Sequence, residues 1–193
     1  MFEETYEAAR DAFRELVLAG GGELESLSVC EGEAAAADGS PLTIDVGVIG
    51  LDAPRALLTT SGVHGIEGFA GSACQRHMLS GDLRDDVRYV MVHAVNPYGM
   101  AKIRRVNERN VDLNRNFLSD GEAYSGCNQG YRDLEDLLNP DTPHGGFEAF
   151  LLRAGWLILR HGMPALRQAV AEGQYDYPRG LFWGGDSLET SAH

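Results

Sequence analysis

Positive charge is what this chain has least of. Of its 193 residues 16 are basic and 29 acidic, for a net charge of −13. That balance argues against a nucleic-acid partner, because phosphate binding needs clustered cations, and it repels an anionic membrane surface. Lysine is nearly missing: only Lys102 is one, and the other basic residues are arginines, whose planar fork suits bidentate carboxylate recognition. Cysteine is scarce. Cys30, Cys74 and Cys127 are odd in number and widely spread, without CxxC spacing, so no disulfide framework is expected. No apolar stretch approaches the roughly 18 residues needed to cross a bilayer. The start, Met1-Phe2-Glu3-Glu4-Thr5-Tyr6, is acidic and lacks the basic and apolar segments of a secretion signal. The expected location is cytoplasmic, with neither membrane nor nucleic acid as partner.

What is present is the composition of a folded chain, 44% apolar and 23% charged, long enough for one domain spanning 1–193 with a substantial core. Phe2, Tyr6, Ala9, Phe13, Leu16 and Val17 recur at helical spacing with charges between them, so an amphipathic helix is expected over 3–18, ended by Gly20-Gly21-Gly22. A short strand and a turn should occupy 23–40. Leu42 to Ile49 alternates as a strand, with Ile44, Val46 and Val48 on one face. The continuous run Ala56-Leu57-Leu58-Thr59-Thr60 reads as a strand buried on both faces. A helix from about Glu67 to Leu79 and a strand from Val87 to Val95 complete a βαβ unit, which implies an α/β fold. Leu134 to Leu138, Phe147 to Arg160 and Ala165 to Glu172 read as helices, and the tail from Gly173 stops without a closing element.

Two clusters of residues could carry chemistry. His64 and Glu67 stand three apart where the apolar run meets the helix, flanked by glycines at 62, 65 and 68 that allow close backbone approach. The spacing suits two ligands of one zinc ion. On spacing alone the commoner reading is a helix-entry histidine with a first-turn glutamate that complements the helix dipole. The second cluster is the polar stretch 96–130, which contains Asn96-Pro97-Tyr98-Gly99, Arg104-Arg105-Val106-Asn107 and Asp112-Leu113-Asn114-Arg115-Asn116-Phe117. NPYG alone is a turn. Together these cations and amides suit a pocket for an anionic group such as a carboxylate.

The order HxxE, NPxG, arginine followed by asparagine, then DLNRNF resembles the zinc carboxypeptidases of the carboxypeptidase A-like superfamily. GVHGIEGFAG, NPYGMAKIRRVN and GQYDYPRGLFWGG are most similar to a bacterial branch of it, and the likeness covers roughly 40–185. It implies a three-layer α/β fold with a mixed central sheet, zinc held by His64 and Glu67, and a substrate carboxylate held by Asn114 and Arg115. It also implies that Arg105 meets the oxyanion of the scissile carbonyl, ahead of Arg104 and Arg109. The implied reaction is hydrolysis of a peptide or acyl-amino-acid bond in a small-molecule or peptide substrate with a free carboxylate. The sequence leaves the oligomeric state open.

The family's third zinc ligand, a later histidine, and its catalytic glutamate have no matching context here. His77 lies on the helix after Glu67, His93 reads as a buried core histidine of its strand, His144 as a loop residue and His161 as a helix-end cation. His193 has the right separation from Glu67 but no strand before it. The expectation is a C-terminally truncated domain that hydrolyses little by itself. A non-catalytic carboxylate-binding module is the alternative.

Overall fold

In the computed structural model, residues 2–30, 35–140 and 147–189 are described. The chain divides into two compact units, one within Met1–Arg109 and one of Asn110–Glu189.

The first unit opens with α1 (Tyr6–Ala19). The Thr5 side chain accepts a hydrogen bond from the Ala8 N–H at 3.2 Å, and Glu7 sits in the positive first turn. Tyr6, Ala9, Phe13 and Val17 form its buried stripe, with Gly20 as C-cap, as the spacing predicts. β1 (Glu23–Cys30) and β2 (Leu42–Ile49) pair antiparallel, β2 pairs antiparallel with β4 (Val87–His93), and β3 (Arg55–Thr60) pairs parallel with β4. The strand order is β1-β2-β4-β3, a mixed sheet. The crossover from β3 to β4 runs through α2 (Gly68–Leu79), so the expected βαβ unit is present.

The polar alternate face of β2 lies under α1. Arg14 of α1 grips the fully buried Asp45 with Nε and Nη2, both at 2.8 Å, and Tyr6 Oη donates to the Thr43 carbonyl at 3.0 Å. His93, directly across the ladder from Asp45, stacks on Phe13 at 4.7 Å between ring centroids. Its Nε2 lies 2.9 Å from Ser72 Oγ of α2, so α1 and α2 share this face. Phe13, Val17, Tyr89 and Met91 fill the space beneath them.

β3 corrects one expectation. The run Ala56 to Thr60 is not buried on both faces: Leu57 is 41% and Leu58 63% exposed, and only Thr59 of the five is half-buried. In the described sheet β3 is an edge strand with β4 as its single neighbour, and an apolar run cannot report which flanking elements cover it. The NPYG turn is also more than a turn. Asn96 caps the short helix α3 (Pro97–Ala101), with Pro97 in its first turn.

The second unit holds α4 (Gln129–Leu138), α5 (Phe147–His161) and α6 (Met163–Ala171), close to the three expected helices. Leu134, Leu137, Leu157 and Leu166 pack between them. Asn128 caps α4 through the Tyr131 N–H at 2.8 Å and donates to the Ala169 carbonyl of α6, also at 2.8 Å. The tail after Gly173, expected to lack a closing element, is tied down by Asn116. Its Nδ2 donates to the Gly184 and Ser187 carbonyls, and its Oδ1 accepts from the Glu189 N–H at 2.8 Å. Among the described residues no helix is long and apolar enough to cross a membrane.

Candidate metal-binding site

Past Thr60 the β3 chain continues along β4: the Ser61 N–H donates to the Val92 carbonyl at 3.0 Å, and the Val95 N–H to the Ser61 carbonyl at 2.9 Å. Gly62 then takes a left-handed conformation (φ +73°), where a side chain would be strained. A 3-10 turn, Gly65–Glu67, leads into α2. A Cβ on Gly65 would lie 2.0 Å from the Gly99 carbonyl carbon, so only glycine lets this turn rest on α3. The Gly65 N–H donates to the Arg105 carbonyl at 3.2 Å and the Ile66 N–H to the Arg104 carbonyl at 3.0 Å. Backbone bonds thus bring the HxxE turn and the arginine segment together at the carboxyl end of β3, where α/β sheets bind ligands.

His64 Nδ1 lies 3.2 Å from Glu67 Oε2, and Arg105 Nη1 lies 4.0 Å from Glu67 Oε1. The His64 side chain is 12% exposed and that of Glu67 66%, so the pair sits at the surface with the carboxylate outermost. Zinc bonds of about 2.0–2.1 Å to nitrogen and about 2.0–2.2 Å to oxygen, at a tetrahedral angle, put neighbouring donors about 3.4 Å apart. His64 and Glu67 fit two corners of such a site. Among the described residues no group of three or more His, Cys, Asp and Glu gathers into a metal cage.

Asn114 and Arg115 belong to the second unit, in the 3-10 turn Leu113–Arg115 that the Asp112 carboxylate caps through the Asn114 N–H at 3.1 Å. Asn114 is exposed. Arg115 Nε and Nη2 donate to the Ala171 carbonyl at 3.2 and 2.7 Å, and Nη1 to the Asn114 carbonyl at 2.8 Å. Three of the five N–H groups a guanidinium carries are therefore engaged with backbone.

Among the other histidines, His77 is exposed on α2, and His161 ends α5 with its Nε2 3.1 Å from Asp133 Oδ2. His144 and His193 lie outside the described residues. His93 is the buried core histidine expected from its strand. Burial lowers its pKa from 6.5 to about 4; Asp45 pulls it back up, and Arg14, Arg76 and Arg10 push it further down. Burial also disfavours the Asp45 carboxylate, but hydrogen bonds from Arg14 and Ser26 and the Arg14 charge outweigh it and hold the pKa below the usual value.

Two features escaped the sequence reading. The Asp45–Arg14–His93 cluster joins three elements and has no local signature. Asn96 did carry a signal, since asparagine before proline marks a helix N-cap.

Mixed sheet, parallel crossover and polar loops at the strand ends define an α/β protein. Residues 2–193 match the model of the family described as Protein of unknown function (DUF2817), and the chain belongs to that family. A comparison with curated proteins found no match.

Proposed function

We propose that this protein is a zinc-dependent hydrolase of the metallocarboxypeptidase type, cleaving a peptide or acyl-amino-acid bond next to a substrate carboxylate. The observation that carries it is the 3.2 Å approach of His64 Nδ1 to Glu67 Oε2 at the carboxyl end of β3. His64 and Glu67 would hold the metal, which supplies Lewis acidity toward a substrate carbonyl and lowers the pKa of a water molecule. Arg105, whose Nη1 lies 4.0 Å from Glu67 Oε1, would bring positive charge to the oxygen on which negative charge develops. The DLNRNF resemblance alone proposes Asn114 and Arg115, which belong to the second unit, as donors for the substrate carboxylate. The order of HxxE, NPxG, Arg-Val-Asn and DLNRNF along the chain supports the same reading.

A second reading, a carboxylate-binding module without productive zinc, draws on the absence of a third donor beside the pair among the described residues. Zinc titration of the metal-stripped protein separates the two. One tightly bound zinc per chain is expected, and it should be lost in His64→Ala and in Glu67→Ala while the far-UV circular dichroism stays unchanged. No tight binding after reconstitution would sink the metal assignment.

A further inference from the structure

We propose that Asn96 is the positioning residue of the candidate site, fixing Arg105 and the His64–Glu67 turn in a common register. Asn96 is 1% exposed, and all its polar groups point at the segments that matter. Its backbone N–H donates to the Gly62 carbonyl at 2.8 Å, two residues before His64. Its Nδ2 donates to the Arg105 carbonyl at 3.2 Å, and that same carbonyl accepts the Gly65 N–H, one residue after His64. Its Oδ1 accepts the Gly99 N–H at 2.8 Å and so caps α3. One side chain therefore serves two separable purposes, a helix cap through oxygen and a tether through nitrogen.

The chemistry explains why asparagine stands here. Serine and aspartate cap a helix as well as asparagine does, but neither brings an N–H to the Arg105 carbonyl. The tether acts on backbone only. It sets where the Arg105 side chain starts and where the turn bearing His64 and Glu67 sits.

The role rests on the zinc assignment above for its consequence, but not for its geometry, so the two are tested by different readouts. Asn96→Ser keeps the cap and removes the tether. Amide hydrogen exchange in the metal-free protein should show protection at Gly65 and Ile66 falling about fivefold to tenfold, the loss of one hydrogen bond, with Met100 of α3 unchanged. Asn96→Asp also keeps the cap but sets an oxygen against the Arg105 carbonyl. When its carboxyl takes up a proton it becomes a donor again, so protection at Gly65 should recover as the pH is lowered in Asn96→Asp and not in Asn96→Ser. A residue that served only to cap α3 would not produce that pH profile. With zinc, Asn96→Ser should bind about tenfold more weakly than wild type, the lower end of what losing an outer-shell partner costs.

Unchanged protection at Gly65 and Ile66, or a fall shared equally by Met100, would overturn the tether. So would unaltered zinc affinity in Asn96→Ser. A wild-type protein that takes no zinc overturns the metal assignment instead, and the exchange pattern alone then decides the role of Asn96.

Discussion

Lowering the pH from 7 to 4.5 should destabilise the first unit through one group, His93. The imidazole is fully buried between Phe13 of α1 and Ser72 of α2, and burial lowers its pKa from 6.5 to about 4. The unfolded chain therefore takes up the proton first. The neutral ring contributes its full stabilisation above about pH 6.5, and that contribution is lost as the pH falls toward 4. At about 1.36 kcal/mol per pH unit the whole effect is about 3 kcal/mol, of which about 2 kcal/mol is expressed between pH 7 and 4.5. That is a sizeable share of the ~5–15 kcal/mol that holds a domain folded. The charges facing the ring are Asp45 on β2, which favours protonation, and Arg14, Arg10 and Arg76 on the helices, which oppose it. The Asp45 carboxylate, its pKa held below 3.8, stabilises the fold above that value and loses its contribution only below it, outside the His93 window.

The control is His93→Gln, which does not titrate and still offers Ser72 a hydrogen bond. Trp156 and Trp183 both belong to the second unit, so tryptophan emission follows the wrong part of the chain. Amide exchange of β2 and β4 follows the right one. Wild type should lose about 2 kcal/mol more than His93→Gln between the two pH values. An equal loss in both proteins would refute the reasoning.

Two further outcomes test the packing. Arg14→Ala strips the buried Asp45 carboxylate of its two-pronged partner and should cost about 3 kcal/mol, the low end for a broken buried pair because Arg14 is itself partly exposed. Chemical denaturation at pH 7, read by far-UV circular dichroism, checks it. Leu58→Lys should change stability by less than about 0.5 kcal/mol, because the side chain is 63% exposed; a loss of several kcal/mol in a thermal melt would show that β3 is covered.

Much of the element pattern is legible in the sequence. Tyr6, Ala9, Phe13 and Val17 define α1 and its buried face, because helical period is a local property. The runs 42–49 and 87–95 name β2 and β4, the second strand ending two residues earlier than expected, at His93. HxxE spacing alone puts His64 and Glu67 on one tight turn, and the strand before it with the helix after it puts that turn at a sheet edge.

Tertiary structure decided what local pattern cannot carry. Period tells which residues share a face but not what covers it, so β2 shows its polar face to α1 and the apolar β3 lies exposed. Asp45, His93 and Arg14 are far apart in sequence and meet only because β2 and β4 are neighbours under α1. Arg105 reaches Glu67 because its carbonyl is held by Gly65 and Asn96, a backbone contact with no signature in side-chain order. The sequence names the groups of the candidate site; long-range hydrogen bonds, which depend on chain path, bring those of the first unit within reach of one another.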